Sequence, residues 1–179
     1  EITATDNVLV ENTDYVQADC VKGNRHTASF YQHVHQKTID QPKIKKKHFN
    51  VVVFGFDSIS QQNFRRSLPK TSAALKRISA ETNCEAITAE RMNIVGDGTT
   101  DNLLAVLVGK LENELYEART AKSGGKPVDG WPWLMTSYNE HGYATHYAED
   151  HMKQNAFQLR LRGWSQPPTH HYGRPFAIA

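Results

Sequence analysis

The chain has 179 residues, enough for one domain whose core buries roughly 70% of the unfolded chain's surface. Its 39% hydrophobic and 22% charged residues exclude a disordered or fibrous chain. A net charge of +2, from 21 Lys plus Arg against 19 Asp plus Glu, argues against an electrostatically driven nucleic-acid binder. Apolar stretches such as Val51 to Phe54 and Leu103 to Val108 are far too short to cross a bilayer. The first residue is Glu1, as expected of a processed or truncated piece. Cys20 and Cys84 allow at most one disulfide, and two ordinary thiols are an equal alternative; a paired-cysteine zinc site is excluded. No Asn-x-Ser/Thr site lends support to secretion.

Residues 1–48 read as a polar, irregular arm. His33 and His35 alternate on a short candidate strand, where exposed histidines are favoured over ligands. The arm ends in Gln41-Pro42-Lys43-Ile44-Lys45-Lys46-Lys47-His48, read as a solvated basic connector rather than an anion-binding patch. At Val51-Val52-Val53-Phe54-Gly55-Phe56 a β-branched apolar run predicts a strand buried on both faces, as in a parallel sheet, ending at Asp57-Ser58. Ser67-Leu68-Pro69-Lys70 opens a helix with Pro69 in its first turn and Ala74, Leu75 and Ile78 as its buried stripe. A second strand, about 85–91, leads into Val95-Gly96-Asp97-Gly98-Thr99-Thr100. A helix from about Asp101 to Val108 stops at Gly109. A third helix starts near Trp131 or Pro132 and stops at Gly142, and a third strand, 143–148, runs into Glu149-Asp150. The tail reads as loop, with Pro167-Pro168 and Arg174-Pro175. Strands alternating with helices imply an α/β fold built on a mainly parallel sheet flanked by helices. In such sheets ligands sit beyond the carboxyl ends of the strands, the edge to which Asp57, Gly98-Thr99 and Glu149-Asp150 are assigned.

Several catalytic patterns fail. Gly109-Lys110 and Gly125-Lys126 are followed by Leu111 and Pro127, so no phosphate loop forms. Gly96-Asp97-Gly98 is half a dinucleotide fingerprint, and no Gly-x-Ser-x-Gly elbow occurs. The strand ending in Asp57 lacks the second aspartate of haloacid-dehalogenase phosphatases, because Ile59 stands there. His141, His146 and His151 fit no metal pattern and are read as surface residues. Asp57, Thr99 and Asn102 remain. A carboxylate at a strand end is a hard oxygen ligand for a divalent metal, or else a turn former. Thr99 or Thr100 is a helix N-cap, or a hydroxyl facing the N–H donors and positive dipole end that suit an anionic ester. Asn102 can donate its amide to a transition-state oxygen, or is a first-turn polar residue.

With these residues the chain resembles the alkaline phosphatase-like superfamily of sulfatases and nucleotide phosphodiesterases, and more closely the sulfatase-like family called domain of unknown function 229. The matching stretches are Asn50 to Ser60, Asn63 to Arg66, Leu68 to Thr71, Val95 to Leu104, Trp131-Pro132-Trp133, Gly142 to Thr145, Tyr147 to Asp150 and Arg174-Pro175-Phe176. The resemblance implies that Asp57 is a metal ligand, that Thr99 is a nucleophile also touching the metal, and that Asn102 stabilises the oxyanion. The implied cofactor is a divalent metal, zinc or calcium. The implied substrate is a small anionic ester or glycan-like molecule, and the implied location extracellular or membrane-associated. Asp101 stands where the family's loop has proline, so an extra carboxylate either repels substrate or caps the helix. The superfamily's remaining ligands lie in a second half of the fold beyond Ala179, so residues 49–179 are expected to be the first half of an incomplete domain and inactive alone. Thr99-Thr100-Asp101-Asn102 has no Cys/Ser-x-Pro-x-Arg, which disfavours formylglycine sulfatases. Two functions stand: a metal-dependent hydrolase or transferase of phosphate, and secondarily sulfate, esters, or a non-catalytic extracellular binding or structural module.

Overall fold

The computed structural model describes residue 11 and residues 13–38, 49–151 and 154–175. They fall into two compact units, one within 1–45 and 100–179, the other within 46–99. Among the described residues the fold is a small α/β arrangement with four α-helices and two two-stranded sheets.

In the first unit the described part of the polar arm, expected to be irregular, contains a hairpin. β1 (Tyr15–Lys22) and β2 (Arg25–Gln32) pair antiparallel, in register from Tyr15↔Gln32 to Lys22↔Arg25. The two-residue loop Gly23-Asn24 drives the pairing. Gly23 takes φ +60° and Asn24 does not turn positive, the pattern of a type II′ turn whose twist matches the strands. The hairpin is polar overall because most of both faces meets solvent. His33 and His35 follow β2 rather than lie within it. The basic connector at 41–48 lies outside the described residues.

The core of this unit forms around α3 (Thr99–Leu107). Thr100, Leu104 and Leu107 recur at the helical period and are all buried. Against them pack Val108, Ala118, Val128, Trp131, Trp133, Tyr147, Ala156, Phe157 and Leu161. Gly109 ends the helix as expected: at φ +68° its N–H reaches back to the Leu104 carbonyl at 3.0 Å. A 3₁₀ turn at Val128–Gly130 precedes α4 (Leu134–Glu140), which closes before Gly142 at φ +81°. The third predicted strand shrinks to β3 (His146–Tyr147), parallel to β4 (His171–Tyr172) in a segment read from sequence as loop. Trp133, Tyr147, Phe157 and Trp164 interlock, with ring centroids 4.6–6.3 Å apart.

In the second unit α1 (Gln61–Ser67) starts at Ser60, whose hydroxyl accepts from the Asn63 N–H at 3.2 Å. α2 (Pro69–Glu81) begins with Pro69 in its first turn, as predicted. Its expected stripe is not buried: Leu75 and Ile78 are exposed and Ala74 is half-buried. The predicted strand at 51–56 is not formed either. The segment carries no ladder, and Val52 and Phe54 are 83% and 78% exposed. Residues 85–91 also form no strand, and Ile87 is exposed. The physical reason is common to all three. A two-faced apolar strand needs a neighbour on its edge and a layer on each face, and the described residues of this unit supply neither.

Candidate functional site

Asp57 and Thr99 come together within the second unit. Asp57 sits in a turn with Ser58, whose φ of +55° costs a residue with a Cβ about 1–2 kcal/mol. Thr99 is the first residue of α3 and follows Gly98, whose φ of +104° only glycine adopts readily. The turn and the glycine bring the Thr99 hydroxyl to 3.3 and 3.4 Å from the two Asp57 carboxylate oxygens. Both side chains are exposed. The hydroxyl therefore stands at the start of a nine-residue helix, with a carboxylate to accept its hydrogen.

The neighbours of Thr99 have other duties. Thr100 turns into the core and donates to the Ala156 carbonyl at 2.9 Å, fixing α3 on the segment after Asn155. Asp101, standing in the proline position, lies in the first turn of α3 and is not a bare repulsive charge. It pairs with Arg160 at 3.1 Å, and Arg160 also reaches Glu112 at 3.4 Å. Asn102, half-buried, lies one helical turn beyond Thr99 in α3. Glu149 is engaged inside its own unit, accepting from the Tyr147 hydroxyl and from the Ala156 N–H at 2.9 Å. Burial first, then the Glu149 charge and bond, push the Tyr147 phenol far above its ordinary range. Asp150 is exposed, as are His141, His146 and His151. Cys20 and Cys84 are both exposed, unbridged thiols.

Asp57 and Thr99 offer a hard divalent cation three oxygens, two of a carboxylate and one of a hydroxyl, which suits calcium, magnesium or zinc chemistry. They do not complete a site by themselves: among the described residues no group of three or more His, Cys, Asp or Glu is placed to hold a metal.

A second polar cluster, not foreseen from sequence, ties the hairpin to β3 and β4. The buried Asp14 carboxylate accepts from the His35 N–H at 3.0 Å, lies 2.9 Å from His171 Nδ1 and is 3.6 Å from Lys37 Nζ. Burial pushes Asp14 up, but the His35 and His171 hydrogen bonds and the His171 and Lys37 charges hold it below its ordinary value. The Tyr15 hydroxyl donates to the Tyr172 carbonyl, and Lys37 Nζ to the His170 carbonyl. The Thr145 N–H donates to His170 Nδ1 at 3.1 Å, so that nitrogen is an acceptor. Burial, with the His171 and Lys37 charges, lowers His170 below the ordinary histidine range. A local signal for this clasp was not available, since Asp14 and His171 are 157 residues apart.

No curated protein and no solved structure matches the chain. Among the described residues no helix is long and apolar enough to cross a membrane. A family model described as "Protein of unknown function (DUF229)" matches residues 2–179, so the chain belongs to that family.

Proposed function

We propose that this chain carries the nucleophile of a metal-dependent hydrolase or transferase acting on phosphate esters, with sulfate esters second, within an alkaline phosphatase-like parallel-sheet fold. The single supporting observation is the approach of the Thr99 hydroxyl to both Asp57 oxygens at the start of α3. Asp57 and Thr99 would hold a divalent cation, zinc or calcium, which when bound would lower the pKa of the hydroxyl. The chain's own groups do the rest. Asp57 takes the hydrogen of Thr99 Oγ1 and keeps the oxygen oriented. The Oγ1–phosphorus bond forms as the leaving-group bond breaks, and the electron pair departs with the leaving oxygen, which takes a proton from solvent. Water, or an acceptor alcohol, then displaces Thr99 Oγ1 from phosphorus and returns its proton. The N–H groups of the first turn of α3 face the developing negative charge, and Asn102 supplies an amide donor one turn on.

The test is metal analysis beside hydrolysis of an aryl phosphodiester by the natural full-length protein. Thr99→Ala should abolish turnover while most of the metal is kept; Asp57→Ala should lose both. Unchanged turnover in Thr99→Ala removes the nucleophile. A parent protein without metal favours the binding-module reading instead.

A further inference from the structure

The first unit contains a pocket that this proposed reaction does not use. A pocket of about 320 Å³ opens between Thr120, the 158–164 segment and β4 with the two residues after it. That volume lies at the small end of the range of small-molecule sites, roughly 300–1,000 Å³. Its apolar lining includes Leu161, 1% exposed, and the rings of Trp164 and Tyr172. Two guanidinium groups, Arg162 and Arg174, line it as well.

The polar inventory of the pocket is incomplete. Arg174 Nε is buried with no hydrogen-bond partner among the described residues. Gln158 donates its amide to the Tyr172 hydroxyl at 2.6 Å, which leaves its Oε1, also buried, without a donor. Among the described residues Arg162 makes a single long hydrogen bond, Nη2 to the Lys122 carbonyl at 3.5 Å. Neither arginine pairs with a carboxylate among the described residues, although Asp101, Glu112 and Glu117 neutralise Arg119 and Arg160 nearby in sequence. A buried donor and a buried acceptor left unmade each cost about 1–3 kcal/mol, which a bound water or ligand with matching polar groups would recover.

The packing behind these groups is tight. A Cβ at Gly163 would stand 2.6 Å from Gln158 Cγ, and one at Gly125 would stand 3.1 Å from Arg162 Nε and 2.7 Å from the Arg119 carbonyl. Glycine at both positions lets Gln158 and Arg162 occupy their places. Gln158 is further held by Tyr172, whose ring stacks on Tyr147 at 6.2 Å.

From this arrangement we infer that the pocket lined by Arg162, Arg174, Gln158 and Trp164 binds a small phosphate ester that also carries a hydroxyl group. The two guanidiniums match a group bearing about −1.5 to −2 charges at neutral pH, which they can grip through paired N–H donors. The Gln158 carbonyl oxygen requires a donor, which a ligand hydroxyl supplies and a bare phosphate dianion does not. The Trp164 face covers the ligand's carbon skeleton.

The test is calorimetric titration of the full 179-residue chain with glucose 6-phosphate, inorganic phosphate and inorganic sulfate in a phosphate-free buffer. Glucose 6-phosphate should bind, and more tightly than either inorganic ion. Arg174→Gln and Arg162→Gln should each weaken it at least about tenfold, the loss of one charge-assisted hydrogen bond. Lys110→Gln, a cation outside the pocket, should leave it unchanged. Gln158→Met should erase the preference for the sugar phosphate over inorganic phosphate. Arg162 is exposed, so its variant keeps the test valid if Arg174→Gln fails to fold. Absent binding of all three probes, affinities of both arginine variants equal to that of the unaltered chain, or sulfate binding as well as glucose 6-phosphate, overturns the proposal. In the natural full-length protein, loss of aryl phosphodiester hydrolysis in Thr99→Ala with glucose 6-phosphate binding intact separates the two sites.

Discussion

Replacing Asp14 by Asn should release the β1–β2 hairpin without unfolding the core. The carboxylate is 7% exposed and holds three donors: the His35 N–H, His171 Nδ1 and Lys37. Asparagine keeps one acceptor oxygen for His35. It places an amide against His171 Nδ1 or Lys37, where an acceptor is required, and removes the charge. Hydrogen bonds to a charged group contribute about 1.5–3 kcal/mol, so a loss of about 2 kcal/mol is expected. An isolated two-stranded hairpin is marginal in water, so this loss falls on local opening. Two kcal/mol is about a 30-fold change in that equilibrium.

The assay is native-state amide exchange. Protection of amides in β1 and β2 should fall about 30-fold in Asp14→Asn, while amides of α3 keep theirs. The same pair gives a sign for pH. Asp14 titrates lower in the folded protein than its ordinary value of 3.8, so its contribution is complete above that value. It is lost as pH falls through the lower folded value. The native hairpin should therefore loosen in acid in a step that Asp14→Asn lacks. Equal hairpin protection in the two proteins, or a parallel fall in α3, refutes the clasp as the hairpin's tether.

Thr100→Val keeps the volume but strips the Ala156 carbonyl of its donor, and should cost about 1–3 kcal/mol in denaturant unfolding; Thr100→Ser should recover most of it. Gly109→Ala forces a Cβ into φ +68° and should cost about 1–2 kcal/mol, read as a lowered midpoint with unchanged m-value.

α2, α3 and α4 were legible because their signals are local, whereas the polar α1 at Gln61–Ser67 was not foreseen. Pro69 marks the first turn of α2, and Gly109 marks the end of α3 through its own backbone. The hairpin signal was also present, in Gly23-Asn24 between runs of matched length, but polar composition masked it. The strands at 51–56 and 85–91 show the opposite case. An apolar β-branched run states what a segment tolerates, while a strand exists only when another segment pairs with it. The candidate site divides in the same way. Asp57 and Thr99 were identified separately, by a strand end and a helix start, and they meet although the strand did not form. Asp14, His171, Gln158 and Arg174 carry no such local mark, because their meaning comes from partners far along the chain or from a missing partner.

The adjacent threonines of α3 divide their hydroxyls between core and surface within one turn of helix. Successive residues point about 100° apart, so a helix that buries Thr100 must turn Thr99 away from that core. Thr100 spends its hydroxyl on the Ala156 carbonyl and its methyl on packing. Thr99 remains exposed, with Asp57 as the partner of its hydroxyl at a long 3.3–3.4 Å. A surface contact of that length carries little folding energy, so losing it should move stability by no more than about 0.5 kcal/mol. Thr99 is therefore the position of the pair at which a hydroxyl can be kept for reaction rather than for folding. Gly98, at φ +104°, is what lets the chain enter the helix with Thr99 in that place.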